Sequence, residues 1–192
     1  MFKKVIVITA MMLVAGFASA DVIGIFADDM GTDCTVEATP YLAFDIYVMA
    51  ILTDTFAGGI TAAEFAVPDF PVNAGYPVGL VGFEWTSDLL IGDIYTDFSI
   101  AWGAPVGAGA GLVLIGTINI TPFDPMWLGV DNVVTVMPGD ACDCLVTVDD
   151  IFEIHDAQGG MFWFNCTDEE ACICLEETAT AESSWSSVKA LF

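Results

Sequence analysis

Arginine is absent from this chain. Its 192 residues hold three lysines (Lys3, Lys4 and Lys189) and one histidine (His155) against 27 acidic residues. So few cations against so many acids cannot neutralise phosphates, so a nucleic-acid partner is excluded. Docking onto an anionic membrane is disfavoured for the same reason. No arginine clamp for an oxyanion or phosphate can exist, G-x-S-x-G is missing, and no second histidine completes a multi-histidine zinc site. His155 stands between Ile154 and Asp156, with nothing in the sequence to make it a general base. No catalytic residue is assigned, and the chain is read as a non-enzyme.

What is present is apolar. Hydrophobic residues make up 56% of the chain and aromatics 12%, which excludes a disordered polymer. Met1 to Ala20 reads as a secretory signal peptide: Lys3 and Lys4, an apolar stretch from Val5 to Phe17, then Ala18-Ser19-Ala20 as a small-x-small cut. Residues 21–177 are expected to form one secreted domain, extracellular or periplasmic, and 178–192 a C-terminal tail. Asp21 rather than cysteine follows the cut, which argues against a lipid anchor.

Six cysteines follow the leader: Cys34, Cys142, Cys144, Cys166, Cys172 and Cys174. An even number in an exported chain predicts disulfides. On a strand, residues two apart share a face. The expected pairing therefore sets the Cys142-x-Cys144 strand against Cys172-x-Cys174 and joins Cys34 to Cys166. The rival is a four-thiolate metal site, but its usual spacing is Cys-x2-4-Cys, and an oxidising compartment favours disulfides.

Strand signals dominate. Apolar or alternating runs cover Val22–Ala27, Leu42–Leu52, Ile60–Val67, Leu80–Trp85, Ile94–Trp102, Leu112–Thr121, Val133–Met137, Leu145–Val148 and Met161–Phe164. Proline and glycine separate them. No charge occurs between Asp97 and Asp124, yet Pro105 and five glycines break that stretch, so two buried strands joined by a glycine loop are predicted rather than a membrane span. The fold class is all-β: a two-sheet sandwich, immunoglobulin-like or cohesin-like, with a disulfide-rich C-terminal part.

The acidic residues cluster. Asp28, Asp29 and Asp33 share one turn; Asp149, Asp150, Glu153 and Asp156 surround Ile151-Phe152. Hard oxygen groups on loops suit calcium, though no EF-hand pattern occurs. Asp28, Asp29, Asp33, Asp149, Asp150 and Asp156 are the candidate calcium ligands, and no other cofactor is expected. So many like charges repel across a screening length of about 8 Å at physiological salt. The thermal midpoint should accordingly rise with NaCl, and rise further with millimolar Ca2+ where sites are specific. A midpoint flat in both would reject this electrostatic account.

Trp85, Trp102, Trp127 and Trp163 are either sugar platforms or packing residues. GGITAAEFAV, then VGFEW, then LVLIGTINIT resembles the strand succession of cohesin-like, immunoglobulin-like sandwich modules of bacterial secreted proteins. The resemblance covers Val22 to Met137. It implies a sandwich fold and transfers no functional residue, and the cysteine-rich end departs from it. The expected role is structural, adhesive or surface-interacting, with a calcium- or carbohydrate-binding module as the alternative. Expected partners are divalent cations, polysaccharide or another extracellular protein.

Overall fold

A computed structural model of the chain describes residues 21–52, 58–70, 79–123, 131–168 and 171–175. The expected signal peptide, the expected C-terminal tail and Trp127 lie outside the described residues. Among the described residues every regular element is a strand: β1 (Asp21–Phe26), β2 (Thr35–Val36), β3 (Phe44–Ile51), β4 (Ile60–Phe65), β5 (Gly79–Trp85), β6 (Leu89–Asp93), β7 (Asp97–Val106), β8 (Leu112–Pro122), β9 (Asn132–Thr135), β10 (Val146–Asp149), β11 (Ile154–Gly159) and β12 (Met161–Phe164). No helix among them is long and apolar enough to cross a membrane.

The fold is an all-β sandwich with disulfides. Nine strands hydrogen-bond in the order β5-β8-β3-β1-β11-β10-β4-β7-β6, and β2-β12-β9 form a separate small sheet. The long sheet curls so that its two halves face each other. Trp85 on β5 meets Phe98 on β7 with ring centroids 4.3 Å apart, and Phe70, just past β4, meets Phe83 on β5 at 6.3 Å. Between the halves lie the fully buried Ile23, Ile46, Ile60, Phe65, Ile100, Ile115 and Ile118.

The halves join at a parallel seam. Asp21, Val22 and Ile23 of β1 pair with Ala157, Gln158 and Gly159 of β11. One polar link braces the seam: the Thr147 hydroxyl on β10 donates to the Asp21 carboxylate at 2.6 Å, and both groups are buried. A buried hydroxyl and carboxylate satisfied by each other avoid the desolvation cost that either would incur alone.

The uncharged stretch forms β7 and β8, as its breakers imply. Gly107, Gly109 and Gly111 all take positive φ in the connection between them. β6 was not expected, because Gly92-Asp93 reads as a breaker. Gly92 instead lies inside β6, paired with Phe98, at φ +81°, where a Cβ would collide with the Asp97 carbonyl.

Candidate functional site

The two outer faces of the sandwich differ. On the β5-β8-β3 half, cross-strand register places Gly82, Asn119 and Asp45 in one row and Glu84, Thr117 and Tyr47 in the next. Asn119 donates to Asp45 at 2.7 Å. That face carries polar groups, as a solvated sheet face should, with Leu80 and Leu114 exposed beside them.

The opposite face, on β11-β10-β4-β7-β6, breaks this rule. Successive pairings line up Ile154, Val148, Ala62, Ala101 and Leu89 in one row across all five strands. Five strands at about 4.8 Å spacing make this an unbroken apolar band roughly 19 Å long. The next row runs Asp156, Val146, Glu64, Ser99 and Ile91. Leu89, Ile91 and Ile154 are 61%, 69% and 72% exposed. Together these side chains line a groove of about 390 Å³, with Cys142 and Cys144 along one wall. Glu64 is its central charge; it accepts from the Ser99 hydroxyl at 3.1 Å, and one of its oxygens lies 2.7 Å from Cys142 Sγ.

The cysteines are all paired, but not as expected. The bridges are Cys34–Cys174, Cys142–Cys144 and Cys166–Cys172. The expected facing of the two Cys-x-Cys pairs and the expected Cys34–Cys166 bridge are both corrected. The physical reason is that neither Cys-x-Cys lies on a strand, so residues two apart need not share a face. Cys142 and Asp143 sit in a turn, with Asp143 at φ +56°, and the chain reverses enough to bring Cys142 and Cys144 together. Cys172 follows a tight turn in which its N–H bonds to the Asp168 carbonyl, and it points back to Cys166. Cys174 lies against β12, where its carbonyl accepts the Met161 N–H, and meets buried Cys34. The four-thiolate metal site fails with this pairing, since each of its sulfurs is already oxidised.

The carboxylates are disposed unevenly. Asp28 organises its own turn: it accepts the Thr32 hydroxyl, the Thr32 N–H at 2.8 Å and the Asp33 N–H at 3.4 Å. Slight burial opposes its ionisation, and these bonds outweigh that, holding the carboxyl below its ordinary value. Asp33 caps Thr35 through the N–H and hydroxyl, at 2.9 and 2.8 Å. Asp29, Asp150 and Asp156 are exposed. Among the described residues three groups of possible ligand atoms converge: Glu64 with Cys142 and Cys144, Asp131 with Cys166 and Cys172, and Asp149 with Glu153 and His155. Of the six candidate calcium ligands, only Asp149 belongs to such a group.

Asp149 is buried at the end of β10, where β11 turns back. Partial desolvation opposes its ionisation. The N–H groups of Glu153 and Ile151 and the His155 ring outweigh that and hold its carboxyl below the usual carboxylate range.

The three described tryptophans are engaged by neighbouring groups. Trp85 is held between Phe98 and a stacked Phe83, while Trp102 and Trp163 donate their indole N–H groups to the Thr86 hydroxyl and the Ile173 carbonyl. The apolar face was not expected from the sequence. The alternation of Leu89 and Ile91 was its one available signal.

No protein-family model matches the chain, and no curated protein matches it in sequence. Solved structures do resemble it. One is a chain of the CaDoc0917–CaCohA2 complex, at TM-score 0.42 and 10% identity, covering 75% of this chain and 99% of that one. Another belongs to the complex of the sixth cohesin of Acetivibrio cellulolyticus scaffoldin B with a Cel5 dockerin, at TM-score 0.40 and 13% identity, covering 75% and 98%.

Proposed function

We propose that this chain is an exported, non-catalytic interaction module that docks another extracellular protein on the outer face of β11-β10-β4-β7-β6. The observation that carries this reading is the unbroken apolar row from Ile154 to Leu89 across five strands. A contiguous exposed apolar patch rimmed by charge is the signature of an interface. The charge around it specifies the partner. Glu64 and Asp156 sit within the face, Asp93 and Asp143 lie at its margins, and arginine is absent from the whole chain. The occupant is therefore a protein surface with aliphatic side chains flanked by lysine or arginine. Like-charged surfaces are repelled, and opposite charge speeds the encounter.

The test is selection of a displayed peptide library against the intact protein at 150 mM NaCl. Selected peptides should combine aliphatic residues with lysine or arginine. Their affinity should fall at least 100-fold for the Leu89→Glu/Ile91→Glu double variant. It should be unchanged by Leu80→Glu, an equally exposed leucine on β5 in the opposite half. Peptides that bind the double variant as well as the parent would sink the proposal.

A further inference from the structure

We propose that the β10–β11 hairpin binds one divalent transition-metal ion through Asp149, Glu153 and His155. This site is independent of the docking face and stands on different observations.

Three residues of one short hairpin bring their ligand atoms within 4.8 Å of one another. The turn itself enforces this. The Asp149 N–H donates to the Glu153 carbonyl at 3.0 Å, the Phe152 N–H returns to the Asp149 carbonyl at 3.2 Å, and Phe152 takes φ +67°. The Asp149 carboxylate is oriented by its own backbone. Oδ1 accepts the N–H groups of Ile151 at 3.0 Å and Glu153 at 2.8 Å. Oδ2 is left facing His155 Nε2 at 3.1 Å. A carboxylate with one oxygen fixed by donors and the other directed at an imidazole is the arrangement in which outer hydrogen bonds orient a metal ligand.

The spacing suits an ion. Two ligand atoms about 2.0 Å from a tetrahedral zinc stand roughly 3.3 Å apart. The Nε2 to Oδ2 distance of 3.1 Å is close to that bite, so an ion can replace the hydrogen bond with little movement of either side chain. The donor set selects the metal. One imidazole nitrogen and two carboxylates match zinc, manganese or nickel, whereas calcium takes six to eight oxygens. The other two convergent groups each contain a disulfide, whose sulfurs are not thiolates.

The probe is ZnCl2, added to the tag-free, 15N-labelled protein in 150 mM NaCl with excess Mg2+ to occupy the diffuse acidic coat. His155 is the only histidine, so the imidazole 15N resonances report on this site alone. One equivalent of zinc should shift the His155 ring nitrogen and give a 1:1 calorimetric isotherm. Glu153→Gln and His155→Gln should each weaken binding at least tenfold. Ring resonances unmoved at one equivalent would overturn the proposal without recourse to any variant. So would zinc affinity in both variants equal to that of the parent.

Discussion

Replacing Cys34 and Cys174 together by alanine should lower stability by about 3–5 kcal/mol, and the thermal midpoint by roughly 10 °C. Their bridge spans 140 residues, nearly the whole described fold. In the chain-entropy account, removing so long a crosslink releases much of the freedom that it denies the unfolded chain. Cys34 is also buried in the main core, so alanine there leaves a small gap. The companion experiment is the Cys142→Ala/Cys144→Ala variant. That bridge joins residues two apart at the surface and constrains almost nothing in the unfolded state. Its loss should cost less than about 1 kcal/mol by the same entropic reasoning. Equal losses in the two double variants, measured by thermal denaturation at 150 mM NaCl, would refute the pairing.

Phe65→Ala should cost a similar amount, about 3–5 kcal/mol. Phe65 on β4 is fully buried and meets Phe98 of β7 edge-on, with centroids 5.5 Å apart. Phe98 in turn carries Trp85 from the opposite half. Truncating Phe65 therefore opens a cavity at the point where the two halves touch. Phe152 provides the contrast, being 78% exposed at the tip of the β10–β11 hairpin. Phe152→Ala should stay within about 0.5 kcal/mol of the parent. If the two alanine variants lose stability equally in urea denaturation, the packing described here is wrong.

The long apolar runs were legible because burial alone makes them. β1 reads Asp-Val-Ile-Gly-Ile-Phe and is buried at every position. β8, rich in β-branched residues, alternates much as its sequence does. β11 was not legible. Ile154-His155-Asp156-Ala157-Gln158-Gly159 has the composition of a surface loop, and it read as part of an acidic one. It is a strand because β10 pairs with one edge of it and β1 with the other, so its backbone bonds come from its neighbours. This unrecognised strand is the seam of the sandwich and also brings His155 to Asp149.

The candidate sites divide in the same way. The acidic loops were visible as composition, but which oxygens face a common point depends on backbone N–H groups that turn Asp149 toward His155 and consume Asp28 within its own turn. The apolar face was hidden for another reason. Ala62, Leu89, Ala101, Val148 and Ile154 lie on five strands scattered along the chain, and only register places them in one row.

By itself, then, the sequence determined the class of fold and the sign of the surface, because hydrophobic periodicity and net charge are sums over residues that need no partners. Sulfur pairing, the joining of the halves, the apolar face and the metal-ligand geometry were decided by tertiary structure. The Cys34–Cys174 bridge, the joining of the halves and the apolar face depend on which distant segments become neighbours; the other two bridges and the Asp149–Glu153–His155 group depend on turn geometry that composition alone does not encode.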